Sequence, residues 1–209
     1  MLDTISEKVK FILDFLFSIL LLIILSPIFI ICFLIKYFED FYNPFFIQKR
    51  IGKDGNTFKM YKFRTMMPDS EHSETGYYCY EGDKRITNFG RFLRKYSLDE
   101  LPQILNVIKG EMSLVGPRPA IVDEFEGETI LEKNLKKIKF RTTVRPGISG
   151  YSQVYLRNNA DWNNKLEMDF HYLSYRPFKR NFIDLKIIFL TFIEIVSSKG
   201  VYDLMKGEK

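Results

Sequence analysis

Two cysteines, two histidines and one tryptophan are all that 209 residues contain of those types. Cys32 and Cys79 cannot build a disulfide framework or a four-cysteine zinc site. His72 and His171 leave too little material for a histidine-based metal centre or an extended proton relay. Internal repeats and low-complexity tracts are absent, and disorder is excluded by 20 Phe and 12 Tyr against 27% charged residues. Neither sign of charge dominates. The 31 Lys+Arg against 26 Asp+Glu leave +5, a mild surplus that suits phosphates, lipid headgroups or nucleic acid.

What the sequence does have is hydrophobicity concentrated at one end. Phe15 to Ile35 is a run of 21 residues without a formal charge. At helical rise it covers roughly 31 Å, the thickness of a bilayer core. The run is too long and too apolar for an ordinary buried helix. It is also long for a signal peptide, and no small-residue cleavage site follows it. Ser26-Pro27 interrupts it: the proline removes a backbone hydrogen bond, and the serine hydroxyl can rebond the freed carbonyl. A kinked spanning helix and a re-entrant hairpin both fit. Lys8 and Lys10 before the run, and Lys36, Lys49, Arg50 and Lys53 after it, make both flanks look cytoplasmic, which favours re-entry.

Beyond residue 40, two β-prone stretches flank Gly52-Lys53-Asp54-Gly55-Asn56 and predict a hairpin, Phe45–Arg50 against Thr57–Met66. Lys62 and Arg64 then share one face. Pro68 to Gly82 is expected to be a loop. Phe89, Phe92, Leu93 and Tyr96 predict a helix, and Leu101, Ile104, Leu105 and Ile108 another that stops at Gly110. A helix is expected from Ile121 to Phe140, its acidic start (Asp123, Glu124, Glu126, Glu128) matched to the helix dipole. Trp162, Leu166, Phe170 and Leu173 line a further helix. Phe182, Leu185, Phe189, Phe192, Ile193 and Val196 line a last one, whose stripe suits either a core or a lipid interface.

The densest stretch runs from Ser97 to Pro119. Ser97 followed by Glu100 has the form of a capping box. Asp99 and Glu100 are also adjacent carboxylates at a helix start, where the dipole and a bound cation can hold them ionised. In Gly116-Pro117-Arg118-Pro119 two prolines restrain an arginine, whose planar fork suits a phosphate or a salt bridge equally well.

These blocks carry a resemblance that extends over essentially the whole chain. The sequence resembles the bacterial sugar transferase family, in the small monotopic form that acts on polyprenyl phosphates. The marks are Ser26-Pro27, Arg50-Ile51-Gly52, Lys62-Phe63-Arg64-Thr65-Met66, Ser97-Leu98-Asp99-Glu100-Leu101-Pro102, Asn106 to Ser113, Gly116-Pro117-Arg118-Pro119 and Arg145-Pro146-Gly147-Ile148-Ser149-Gly150. The resemblance implies transfer of a sugar 1-phosphate from a UDP-sugar to polyprenyl (undecaprenyl) phosphate, with release of UMP. It implies a covalent phosphosugar on Asp99, Mg²⁺ at Glu100, and a re-entrant helix that keeps residues 41–209 on the cytoplasmic face of the bacterial inner membrane. Lys62, Arg64, Arg118 and Arg145 are then expected to meet substrate phosphates.

The whole predicts an α+β chain, mostly helical, with a re-entrant membrane segment over residues 1–40, interfacial amphipathic helices and a small β-hairpin. Its expected partners are the UDP-sugar, the polyprenyl phosphate, the membrane and downstream glycosyltransferases. A homodimer is left open, and nucleic acid is not expected. Glu111 stands where the family pattern has aspartate, and Tyr155-Leu156 precede Arg157-Asn158 where it has Asn-Gly-Arg-Asn. The second departure makes any carried-over sugar preference unsafe. A direct ternary-complex transferase and a non-catalytic membrane scaffold are the competing readings.

Overall fold

The chain is described by a computed structural model that covers residues 2–68, 70, 82–121, 136–156 and 161–197. Helix α1 (Leu2–Asp40) is one continuous element with Pro27 inside it. Ser26 Oγ donates to the carbonyl of Ile23 at 2.8 Å. That is the carbonyl four residues before Pro27, which a backbone N–H at position 27 would have bonded. The serine thus compensates the proline as its position suggested. Asp14, Ser18, Cys32 and Lys36 are buried along one stripe of α1, while Leu16, Leu20, Ile23, Ile24, Ile30 and Ile31 are exposed. The helix is long and apolar enough to cross a membrane.

Both ends of α1 are fastened to the rest of the chain. Toward its start, Glu7 pairs with Arg180 at 2.7 Å and Lys10 with Asp184 at 2.7 Å. At its other end, Asp40 pairs with Arg64 at 2.7 Å, and the Glu39 carboxylate accepts from the Phe89 N–H at 3.3 Å.

The hairpin forms as expected but ends sooner. Strand β1 (Phe45–Ile51) pairs antiparallel with β2 (Thr57–Phe63), from Phe45 opposite Phe63 to Ile51 opposite Thr57. Its turn places Asp54 and Gly55 at positive φ. Met66 lies beyond the strand and makes an isolated bridge to Ile86. Phe63 is buried with Cys32 of α1 and Leu93 of helix α2 (Asn88–Lys95), joining hairpin, anchor and helix in one cluster.

Helix α3 (Gln103–Ile108) packs on the hairpin through Asn106, which is fully buried. Its side chain accepts from the Tyr61 N–H at 3.1 Å and donates to the Lys59 carbonyl at 2.7 Å. The amide therefore acts as a piece of strand against the edge of β2. Its nitrogen also donates to Glu111 at 2.7 Å, which gives the glutamate at that position a definite partner. Gly110 ends this helix in the left-handed region, with φ of 78°.

Strand β3 (Ser113–Val115) pairs in parallel with β4 (Gly147–Ser149), two strands too short to carry a period in the sequence. They approach through glycines: a Cβ on Gly147 would sit 2.1 Å from the Gly116 nitrogen. Helices α4 (Tyr151–Leu156), α5 (Trp162–Ser174) and α6 (Pro177–Val196) complete the described chain. Leu166 and Leu173 of α5 are buried, and Phe170 is exposed. On α6 only Asp184 and Ile187 are buried, whereas Phe178, Phe182, Leu185, Phe189, Phe192 and Val196 are all more than 60% exposed. The expected stripe is there, and it faces outward. Leaving it in water would forgo roughly 1.5–3 kcal/mol for each such side chain.

The expected loop over Pro68 to Gly82 lies largely outside the described residues. So do Arg157-Asn158 and the acidic cluster Asp123, Glu124, Glu126 and Glu128. Of the helix expected from Ile121 to Phe140, residues 121 and 136–140 are described: 136–140 are helical, whereas Ile121 is outside any helix and makes an isolated antiparallel bridge to Arg50.

Candidate active site

The two adjacent carboxylates sit on a short 3-10 turn, Leu98–Glu100, that precedes α3. The capping box expected at Ser97 does not form. Ser97 is in the left-handed region at φ 53° and its side chain caps nothing. That conformation is unfavourable for a non-glycine residue by about 1–2 kcal/mol, and it turns the chain sharply so that Asp99 and Glu100 follow at once. The cap that does form is one element earlier, where Thr87 Oγ1 accepts from the Gly90 N–H at 3.0 Å. A Cβ on Gly90 would lie 2.1 Å from the Thr65 carbonyl oxygen, so α2 is pressed against the chain leaving β2. This contact lets Arg94 Nε reach Thr65 Oγ1 at 2.8 Å.

Cations converge on the carboxylates from three elements. Lys62, near the end of β2, donates to Glu100 Oε1 at 2.7 Å and stands 4.0 Å from Asp99 Oδ2. Both terminal nitrogens of Arg118, in the Gly116–Ala120 loop, lie 3.4 Å from the same Glu100 oxygen. The charge of Arg94, a residue of α2 that no sequence motif singles out, favours ionisation of Asp99. Its signal was spacing, five residues before Asp99, which means nothing until the 3-10 turn folds it back. The Asp99 and Glu100 side chains are 14% and 19% exposed, while Arg118 is 43% exposed and faces solvent beside them.

These surroundings divide the pair. Burial pushes the Asp99 carboxyl above its ordinary value, against the pull of Lys62, and the neighbouring Glu100 charge adds to the rise. Burial also opposes ionisation of Glu100. There, however, the Lys62 and Arg118 charges and their hydrogen bonds win and hold it at about 2. One carboxylate is thus firmly anionic and cation-bound, and its neighbour is the more basic.

Two other expected phosphate ligands go elsewhere. Arg64 grips Asp40 of α1 with both terminal nitrogens, at 2.8 and 2.7 Å, and its Nε donates to the Asn43 carbonyl at 2.8 Å. The strand has ended at Phe63, so the face expected to unite Lys62 with Arg64 is lost. Arg145 donates to Asp14 of α1 at 2.9 Å and to the Met112 carbonyl at 2.9 Å, and it lies over the Phe11 ring. Both guanidinium groups are thereby tied to the seam with α1.

The dyad offers hard oxygen donors side by side. Magnesium is commonly held by one or two carboxylates, with substrate phosphate completing its shell, and Asp99 with Glu100 fits that pattern. A cluster of three or more potential metal-ligating side chains is absent among the described residues, so an all-protein metal cage has no candidate there.

A half-buried carboxylate pair ringed by cations, on a chain with a long apolar helix, defines a class of enzyme that handles anionic substrates beside a membrane. The family model described as bacterial sugar transferase matches residues 5–198, and the chain belongs to that family. The exopolysaccharide production protein ExoY of Sinorhizobium fredii is 38% identical to it, over 90% of this chain and 86% of its own length. The UDP-N-acetylgalactosamine-undecaprenyl-phosphate N-acetylgalactosaminephosphotransferase of Aeromonas hydrophila is 36% identical, over 90% of this chain and 44% of its own length. The undecaprenyl-phosphate galactose phosphotransferase of Salmonella typhimurium is 34% identical, over 94% of this chain and 42% of its own length. The chain therefore spans most of the first relative and less than half of the other two.

Proposed function

We propose that this sugar transferase moves a sugar 1-phosphate from a UDP-sugar to undecaprenyl phosphate and releases UMP, through a covalent intermediate on Asp99. The names of the relatives support the lipid acceptor and the phosphosugar. The geometry of the dyad supports the covalent route and is the observation on which the reading rests: Lys62 and Arg118 bond Glu100, whereas Asp99 lies 4.0 Å from Lys62 and is not their hydrogen-bond partner. A nucleophile should be ionised yet retain basicity, whereas a cation ligand should stay ionised throughout. Asp99 and Glu100 divide those two requirements between them.

In the first half-reaction an Asp99 oxygen bonds to the phosphorus that carries the sugar. The bond from that phosphorus to the bridging oxygen breaks, and UMP leaves with the electron pair. No proton has to move. In the second half-reaction an oxygen of the lipid phosphate attacks the same phosphorus, and Asp99 departs as a carboxylate. Lys62 and Arg118 offset the charge of the diphosphate, which would otherwise repel the nucleophile. Glu100, with Asp99 beside it, would hold Mg²⁺, whose chemistry when bound is to neutralise that same charge.

In this reading residues 1–40 are the membrane anchor and residues 41–209 the catalytic domain on the cytoplasmic face. A re-entrant anchor is supported by the ion pairs at both ends of α1. A straight span would carry Glu7 and Asp40 to opposite sides of the bilayer, yet both pair with residues beyond position 60. The outward apolar stripe of α6 supports contact with the lipid interface. Downstream glycosyltransferases would then extend the membrane-bound product.

The test is UMP release by the purified full chain in detergent, with Mg²⁺, undecaprenyl phosphate and a panel of UDP-sugars. Release from at least one sugar, dependent on the lipid, is the expected result. No release from any would leave the scaffold reading.

A further inference from the structure

The loop that carries Arg118 is held by its own backbone oxygens. The Pro117 carbonyl accepts from the Gly147 N–H at 3.0 Å, and the Ala120 carbonyl accepts from the Ile51 N–H at 2.9 Å. The two carbonyls between them have no strand neighbour, and each is taken by a guanidinium. Arg50 donates to the Pro119 carbonyl at 3.0 Å, and Arg141 donates to the Arg118 carbonyl at 2.6 Å. Four successive carbonyls are thus fixed. Arg118 itself remains 43% exposed, an open side chain on a backbone tied at four carbonyls.

Of these contacts the Arg141 one is the most heavily built. Arg141 Nε donates to Asp169 of α5 at 2.8 Å, with Arg141 only 6% exposed and Asp169 fully buried. The guanidinium also lies over the Trp162 ring, 5.0 Å from its centroid. Burying such a pair is costly, so its retention calls for a role that an apolar pair could not fill. A fork that must hold a carboxylate with one edge and a backbone carbonyl with another is such a role. Lysine cannot perform it, because its single ammonium has no fixed fork.

We propose that Arg141, anchored by Asp169, is a positioning residue for the transfer: it sets the Arg118 backbone so that the Arg118 guanidinium meets Glu100 and the substrate phosphates. The inference rests on the transferase reading and deepens it. Removing the fork lets the loop relax, so Arg118 spends less time in place and the donor binds and reacts less well. A hydrogen bond from a charged group has the scale that gives a loss of about tenfold or more.

The test is a double-mutant cycle on the full chain in detergent, read by kcat and KM for the UDP-sugar and by thermal midpoint. Arg118→Ala alone, Arg141→Lys alone and the two together are compared with the wild type. If Arg141 acts through Arg118, Arg141→Lys lowers kcat/KM about tenfold in the wild type and does nothing further in the Arg118→Ala background. Losses that simply multiply would overturn the proposal, since Arg141 would then act through the fold at large. Should Arg141→Lys fail to fold, Asp169→Asn takes its place in the same cycle under the same criterion. Failure of the transferase reading is distinguishable, because the wild type would then release no UMP before any variant is compared.

Discussion

Lys62 and Arg118 meet the Asp99–Glu100 turn, while Arg64 and Arg145, from equally motif-like stretches of sequence, meet Asp40 and Asp14 of α1. The two regions use the same chemistry and differ in balance. Along the seam with α1 the charges match one for one, as in Glu7 with Arg180 and Lys10 with Asp184. At the turn, two carboxylates face three cations, Lys62, Arg118 and Arg94. A matched seam is complete in itself. At the turn Arg118 stays 43% exposed beside Glu100 and can still meet an arriving anion, and that sets the candidate active site apart from the structural ion pairs.

The largest functional effect is expected at Asp99. Asp99→Ala should lower UMP release by at least ~10³-fold, as the loss of a nucleophile does. Activity retained near the wild-type level would remove Asp99 from the chemistry. Lys62→Ala should cost on the order of 10²-fold in kcat per folded molecule, the scale of losing one charge-stabilising donor, beyond the lower thermal midpoint that follows when Glu100 loses its 2.7 Å partner. Arg145→Ala should lower stability alone. It takes from buried Asp14 its arginine and leaves it Ser113 and Lys10, so stability falls by about 1.5–3 kcal/mol, while turnover per folded molecule is nearly kept. A loss of kcat at unchanged midpoint would return Arg145 to the substrate.

The dyad itself offers a finer contrast in stability against pH. Glu100 has its folded pKa depressed to about 2, so its contribution is present above the unfolded value and is lost as pH falls through about 2. Asp99 has its folded pKa raised, so it favours the folded state below its unfolded value and loses that contribution as pH rises through the folded one. At pH 7, therefore, Glu100→Gln should lower the thermal midpoint, whereas Asp99→Asn should raise it even as it abolishes turnover. The acid limb of activity should follow Asp99 and lie above the ordinary aspartate value. Calorimetry and a pH–rate profile check these signs, and a midpoint lowered by Asp99→Asn would contradict them.

Much of this was legible because it is local. The period of Phe89, Phe92, Leu93 and Tyr96 gave α2, the glycine-bearing turn gave the hairpin, and Ser26-Pro27 implied the bond to Ile23 that is found. The dyad and Arg118 stood out as blocks, and the structure brings them together. What was illegible is long-range. The β3–β4 pair joins three-residue strands across more than thirty residues, too short to carry a period. Arg141 and Asp169 are 28 residues apart, and neither belongs to a recognisable block. Arg64 and Arg145 looked like substrate ligands because nothing local reveals that Asp40 and Asp14 wait for them. Ser97 looked like a cap because its composition fits one, and only the backbone at φ 53° shows that it serves as a corner.

The most direct test of the central claim is the intact mass of the full chain after incubation with Mg²⁺ and an accepted UDP-sugar, with no lipid acceptor present. A mass increase of one sugar phosphate is expected, located on Asp99, absent in Asp99→Ala and discharged when undecaprenyl phosphate is added. An unmodified mass, in a preparation that releases UMP once the lipid is supplied, would contradict the covalent route and leave direct transfer between the two substrates.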